Sequence, residues 1–430
     1  MNTDNLKKEY FDVAVIGGGA AGMLSAISAS SDGSKVVLIE KNKTLGRKLL
    51  LTGNGRCNIT QAIFDTKEFI EKFGKQGKFL FSSLSVFGPK ETLDFFEKLG
   101  LKTKIEKNGR VFPLSDRAQD VLDALEKALK KNGVSIMLGQ KVIEFEIEDK
   151  NIKYVELENT KIYANNFILS TGGKSFPATG SSGDGYSWLE KMGHKIIPPA
   201  PALVPVKIKE TWIKELQGIS LENVGISLMQ NNQEIKLGIG EIIFTHFGLS
   251  GPAIINVSKV IGEYLKKDEV SLRLDLLSNL KLSELEEKIK IDFENYKKRN
   301  LKTYLSQYFP QKLVKVLISL SGLEDDRKIY AINKLERMNL VILIKSIPVT
   351  VESLLDFNHA MVTSGGVSLK EVDPKTMRSK NISNLFFAGE ILDLDGPTGG
   401  YNLQIAWTTG YVAGVCVKIC ALNPKKVVRR

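Results

Sequence analysis

The feature that most constrains this chain is a glycine run set between a strand and a helix. Asp12 to Ile16 (DVAVI) is a short, continuous apolar run, as a parallel strand buried on both faces requires. It passes directly into Gly17-Gly18-Gly19-Ala20-Ala21-Gly22, then into small and apolar residues at helical spacing as far as Ala29. A second apolar run, Lys35 to Ile39, ends in Glu40, eighteen positions after the last glycine of this G-x-G-x-x-G pattern. The spacing predicts a βαβ unit that holds a dinucleotide. Gly17 permits the tight turn, Gly19 lets the backbone approach a pyrophosphate, and Gly22 lets helix and strand pack closely. The N–H groups and positive dipole end of the helix at Ala20 and Ala21 then face the pyrophosphate. Glu40 is placed to accept hydrogen bonds from ribose hydroxyls, and its charge disfavours a 2′-phosphate there. Lys41, Arg47 and Lys48 follow that strand, where cations neutralise phosphate, the arginine bidentately.

Glycine-rich chemistry returns twice. The apolar strand Phe167 to Thr171 runs into Gly172-Gly173 and a loop crowded with Gly, Ser and Pro as far as Gly185, so backbone is held close to something there. Near the other end, Asn384 to Ala388 (NLFFA) leads to Gly389-Glu390, then to Gly399-Gly400-Tyr401-Asn402 and an apolar helix from about Leu403 to Cys420. A nicotinamide enzyme with one Rossmann domain has no use for a second glycine turn near its C-terminus. An extended FAD does. The N-terminus of the last helix can stabilise negative charge developing at flavin N1 and the C2 carbonyl, and Glu390 is placed for ribityl hydroxyls.

Between these regions the character of the chain changes. Pro198, Pro199, Pro201 and Pro205 mark a boundary, after which alternating segments (LVPVKI, VGISLMQ, EIKLGI) predict strands. Lysine- and glutamate-rich sequence from about Leu282 to Lys345 predicts two or three helices. The expected organisation is a first nucleotide-binding part at 1–195, a β-rich insert at 196–278, a helical part at 279–350 and the remainder of the nucleotide-binding domain at 351–430.

A chain of 430 residues, 43% hydrophobic and 25% charged, has the composition of an ordinary globular protein with a large core. Its formal charge of +11 favours anionic partners such as cofactor phosphates, an acidic substrate or RNA. Three cysteines, Cys57, Cys416 and Cys420, make neither a disulfide framework nor a thiolate metal site, and no metal is expected. The apolar run before the first glycines is too short for a secretory signal, and the apolar stretch from Tyr401 to Leu422 is broken by Asn402, Gln404 and Lys418. A cytoplasmic protein with no membrane association is the expectation.

Four strings carry a resemblance: TLGRKLLLTGNGRCNIT (Thr44 to Thr60), FTHFGLSGPA (Phe244 to Ala253), TSGGVSLKEVDPKTMRSK (Thr363 to Lys380) and LFFAGEILDLDGPTGGYNLQIAWTTGYVAG (Leu385 to Gly414). Together they resemble the BaiN/RdsA-type FAD-dependent oxidoreductases, which include aminoacetone-oxidase-like flavoproteins, over nearly the whole chain. The resemblance implies an α/β fold: a discontinuous Rossmann-like FAD-binding domain of the glutathione-reductase-like superfamily, with an inserted β-barrel-like part and a small helical part. It assigns the first glycine loop and Glu40 to the AMP half of FAD, Val142 to a backbone contact with adenine, and Thr171-Gly172 to the second turn. Gly389-Glu390 and Gly400-Tyr401-Asn402 match the ribityl and flavin-ring contacts.

Disulfide reductases of that superfamily carry a C-x-x-x-x-C pair after the ribose carboxylate. Here Leu45 to Asn58 holds only Cys57, which reads as a packing residue, so electrons are expected to pass directly between flavin and substrate. Arg56 and Asn58 could reach the flavin ring or its substrate, although such turns also arise for backbone reasons. His246 is the first candidate for an acid–base group, and a turn-capping histidine is the plainer alternative. His194 and His359 receive no role, Cys416 and Cys420 read as core residues, and the terminal KKVVRR reads as a solvated basic face. The expected function is hydride transfer between flavin N5 and a small organic substrate, by carbon–carbon double-bond reduction or amine oxidation, with NAD(P)H docking transiently or O2 as electron partner. A flavoprotein acting on RNA and a non-catalytic FAD-binding protein are the alternatives.

Overall fold

The structure is a computed structural model that describes residues 6–422, with side chains to 418. The chain forms two compact units: residues up to 201 with those from 361 onward, and residues 202–360. Each unit has its own apolar core.

The first unit is built on a seven-stranded sheet. Its parallel part places Ser135–Leu138, Val36–Glu40, Lys7–Ile16 and Thr160–Leu169 side by side, with Ile16 opposite both Ile39 and Leu169. Every residue of Val36–Glu40 is buried, which explains its uninterrupted apolar run. Thr160–Leu169 is shared along its length. Its first half pairs antiparallel with Asn151–Glu156, and its second half pairs parallel with Leu385–Phe387 from the far end of the sequence. That last pairing brings the two ends of the chain into one sheet. The glycine-loop helix Ala20–Ala29 packs on the final helix Tyr401–Leu422, where Cβ atoms on Gly410 and Gly414 would come within 2.5 and 2.4 Å of the Ala21 and Ser25 carbonyls.

Gly139 and Gln140 donate to the Asn42 and Glu40 carbonyls, which holds Val142 in a buried connection ahead of the strand Glu144–Glu148. The proline-marked segment is itself a strand, Ile196–Ala202, in a two-stranded sheet with Val362–Val367, a setting that tolerates missing N–H donors.

The second unit is a closed six-stranded barrel with helices. In Ser220–Gln230 burial alternates through Val224, Ile226 and Leu228, the period-2 signature of a strand with one face in a core. Its last strand, Ile347–Leu354, follows the helices Leu282–Asn295, Gln311–Ser321 and Lys334–Lys345 and pairs with Ser271–Asp275. The helical segment is therefore inserted between neighbouring barrel strands. Among the described residues no helix is long and apolar enough to cross a membrane.

A candidate nucleotide site in the first unit

A cleft open to solvent runs from the first glycine loop to the start of the final helix. At its floor Gly17 N–H donates to the Ile39 carbonyl (2.8 Å), and Gly17 adopts φ +107° with the Ser170 carbonyl 2.5 Å from where a Cβ would stand. A Cβ on Gly22 would lie 1.8 Å from the Gly17 carbonyl, so Gly22 serves helix–strand contact and does not itself line the cleft. Gly19 is different. Its φ is an ordinary −80°, and a Cβ there would meet nothing within 4 Å. No side chain caps the helix that follows, which leaves its first N–H groups to whatever occupies the cleft.

Glu40 is buried at the tip of its strand. One carboxylate oxygen accepts from Gly18 N–H (2.7 Å) and the other from the backbone and side-chain N–H groups of Asn42 (both 2.7 Å). Three donors fix its orientation and leave lone pairs toward the cleft. Lys41 pairs with Asp184 (2.7 Å), Arg47 donates to Asn42 Oδ1 (2.9 Å), and Lys48 pairs with Glu390 (2.6 Å), all at the cleft wall. Glu390 is the node of a network. It also accepts from the Ser175 hydroxyl and Thr363 N–H (both 2.7 Å), and Thr363 Oγ1 accepts from the N–H groups of Lys174 and Ser175. Thr171, Gly172, Gly389 and Val142 complete this wall, and the buried Thr171 Oγ1 has no protein partner among the described residues. At the far end Asn402, Leu403, Ile405 and Ala406 of the final helix line the cleft. Asn402 uses its carboxamide on the preceding turn, accepting from Gly396 N–H and donating to the Gly396 and Pro397 carbonyls, so it presents backbone.

Several expected site residues lie elsewhere, for physical reasons. Arg56 does not line the cleft: its guanidinium stacks 3.9 Å over the Phe112 ring and pairs with Glu106 (2.5 Å) and Asp116 (2.6 Å). Hydrogen bonds from Lys104 and Arg56 hold the Asp116 carboxyl below its usual range. Arg56 thus anchors the Gly53–Cys57 turn, in which Gly53, Asn54, Gly55 and Cys57 all have positive φ. Asn58 is buried behind that turn, its Oδ1 without a protein partner among the described residues, and is not part of the cleft lining. Gly399 and Gly400 are likewise outside the lining: a Gly400 Cβ would lie 2.5 Å from the Thr60 carbonyl carbon and oxygen. Tyr401 packs into an aromatic cluster with Phe69 and Phe73 (centroids 5.1 and 6.0 Å). His246 belongs to the second unit, exposed, with its ring edge-on to Phe247 at 4.9 Å.

The remaining candidates fall out plainly. Cys57 is fully buried and burial pushes its thiol up to about 12, so it holds no thiolate at neutral pH. His194 is buried with Nε2 2.8 Å from Ser379 Oγ, and burial lowers its pKa. Cys420 and the terminal Lys425 to Arg430 lie outside the residues whose side chains are described. Sequence reasoning missed Asn42, Ser175, Asp184 and Thr363. The glycine-crowded loop announced close backbone approach, but nothing in its composition singled out which polar side chains would turn inward.

A parallel sheet, a glycine loop opening an uncapped helix and a carboxylate fixed at the tip of the next strand define a Rossmann-type dinucleotide-binding protein. Residues 11–416 match the family described as HI0933-like protein Rossmann domain. The chain belongs to this family, the BaiN/RdsA-type FAD-dependent oxidoreductases. It is 33% identical over 405 residues to a Clostridium scindens protein named 3-dehydro-bile acid delta(4,6)-reductase, covering 94% of this chain and 98% of that protein. It is 32% identical over 414 residues to a Haemophilus influenzae protein named ribosomal RNA dihydrouridine synthase, covering 95% and 99%. Among solved structures, a flavocytochrome c3 fumarate reductase superposes with TM-score 0.52 at 16% identity, covering 96% of this chain and 79% of that one. A 3-ketosteroid-delta4-(5alpha)-dehydrogenase from Rhodococcus jostii gives TM-score 0.52 at 13% identity, covering 96% and 98%. At these identities the structural likeness is one of fold.

Proposed function

We propose that this protein is an FAD-dependent reductase of carbon–carbon double bonds conjugated to a carbonyl. The observation that carries the reading is the two-ended cleft: one cavity lined by the first glycine loop and by the first turn of the final helix. The donor set fits an extended dinucleotide, with an uncapped helix start, open space at Gly19, an oriented Glu40, three nearby cations and the unpartnered Thr171 hydroxyl. Gly17, Gly19, Ala20 and Ala21 would hold the pyrophosphate, Glu40 the adenosine ribose, Lys41, Arg47 and Lys48 the phosphate charge, and Val142 the adenine edge. Thr171, Gly172, Gly389 and Glu390 would hold the ribityl chain, and the backbone from Asn402 onward the ring. Gly22, Arg56, Gly400 and Tyr401 act on this site only through packing, and Asn58 through the turn behind it.

When bound, FAD would supply hydride chemistry suited to a double bond conjugated to a carbonyl. The chain's part is binding and electrostatics. Helix N–H groups at 402–406 would stabilise negative charge on the ring, and the protonated thiol at Cys57 takes no redox share. The two relatives' names support the reaction class, because a bile-acid enone and a uracil ring both present a double bond conjugated to a carbonyl. The purified protein should be yellow and bleach anaerobically with NADH or NADPH, then recover its colour when an enone is added. Bleaching that only O2 reverses would make it an oxidase. Colour that no reductant bleaches would leave FAD a structural ligand.

A second reading has the double bond in an RNA pyrimidine, favoured by the charge of +11. Its mark is an RNA complex whose affinity falls steeply with salt. A gel shift with ribosomal RNA fragments that shows no salt-sensitive complex removes it.

A further inference from the structure

The segment Lys174–Asp184 contributes Thr179, Gly180, Ser181 and Asp184 to the cleft lining and is tied down at both edges. At one edge Lys41 Nζ reaches Ser182 Oγ (2.5 Å) and Asp184 Oδ2 (2.7 Å), and Asn42 Nδ2 donates to the Thr179 carbonyl (3.1 Å). At the other, Lys48 Nζ donates to Ser175 Oγ (2.5 Å), Ser175 Oγ donates to Glu390, and the N–H groups of Lys174 and Ser175 converge on Thr363 Oγ1. Between these anchors Thr179, Gly180 and Ser181 line the same cleft as the glycine loop. The span is jointed by left-handed positions, with Phe176 at φ +50°, Gly180 at +105° and Gly183 at +82°. Both cations that latch the segment, Lys41 and Lys48, stand beside the uncapped helix start, where phosphate charge is expected.

We propose that residues 174–184 form a strap latched over the cofactor by the Lys41–Asp184 and Lys48–Ser175–Glu390 contacts, and that opening this latch sets the rate at which FAD enters and leaves. The strap rests on the FAD reading above. In the closed protein each latch lysine keeps its carboxylate and acts on the phosphates through its charge, so latch and cofactor do not compete for it. The carboxylate side is built to stay charged. Burial works to raise the Asp184 pKa, but the hydrogen bond and charge of Lys41 outweigh it and hold the group below its ordinary value.

The test follows exchange of bound FAD in the holoprotein against an excess of isotopically labelled FAD, after flavin content has been measured. Asp184→Asn removes one latch charge while leaving Lys41 for phosphate. It should speed both release and uptake by about fivefold, so that affinity changes far less than either rate, as loss of a part-exposed ion pair allows. Ser175→Ala should do the same from the other edge. Raised salt should speed exchange in the natural protein and have little further effect in Asp184→Asn. Exchange rates unchanged in both variants would overturn the strap, as would faster release with no gain in uptake, which marks lost affinity and no gate. A protein that carries no FAD and takes none up would instead overturn the reading on which the strap rests.

Discussion

At Gly19 a Cβ would meet nothing within 4 Å, whereas at Gly400 it would lie 2.5 Å from the Thr60 backbone, although both glycines stand in a turn that opens a helix. Both turns are rich in glycine, but their surroundings differ: the first leaves open space at Gly19, and the second lets one stretch of the protein's own backbone lie against another. The helix behind each turn still reaches the cleft, through Ala20 and Ala21 in one case and Asn402 to Ala406 in the other. A glycine-rich turn therefore announces close approach without saying what approaches.

Substitutions at the two kinds of glycine separate these uses. The largest effect belongs to Gly22→Ala, whose new methyl would stand 1.8 Å from the Gly17 carbonyl. It should cost about 3 kcal/mol, read from the urea midpoint, and a native midpoint would mean that helix and strand have room that the structure denies them. Gly400→Ala comes next, with a crowded carbonyl and a φ of +101°. It should lower the melting temperature and the flavin content together, by about 1–3 kcal/mol, because it moves the final helix. Flavin loss at an unchanged melting temperature would put Gly400 against the ligand after all. Glu40→Gln replaces an acceptor held by three donors with a group that turns two N–H bonds toward them. FAD should bind about tenfold more weakly by fluorescence titration, and unchanged binding would remove Glu40 from the ribose. The smallest effect is at Cys57. Its thiol, fully buried and pushed up to about 12, should resist a disulfide reagent at pH 8 in the native state, and Cys57→Ala should leave turnover within about twofold. Native reactivity lost in Cys57→Ala would restore a redox role.

How far the sequence could be read follows from which interactions are local. The βαβ unit was legible because strand period, glycine spacing and the carboxylate at its end all lie within Asp12 to Glu40. Burial of all five residues of Val36–Glu40 is the same fact seen in three dimensions. The strand Ile347–Leu354 was obscured because it closes the barrel only after four helices, so its partner Ser271–Asp275 lies more than seventy residues away. For Arg56 the sequence left open a reach to the flavin ring or its substrate and a turn formed for backbone reasons alone. What redirected it, Glu106, Phe112 and Asp116, comes from a distant hairpin that no motif marks. The strap residues Ser175 and Asp184 were hidden likewise, since each finds its lysine across more than a hundred residues of chain.

Gly19→Ala tests the central claim most directly, through FAD titration of the flavin-free protein alongside its thermal melt. The account predicts a melting curve within about 1 kcal/mol of the natural protein, since the position is open and its φ ordinary, together with FAD affinity at least tenfold weaker. Full affinity in Gly19→Ala would mean that no ligand approaches this loop, and would contradict the account.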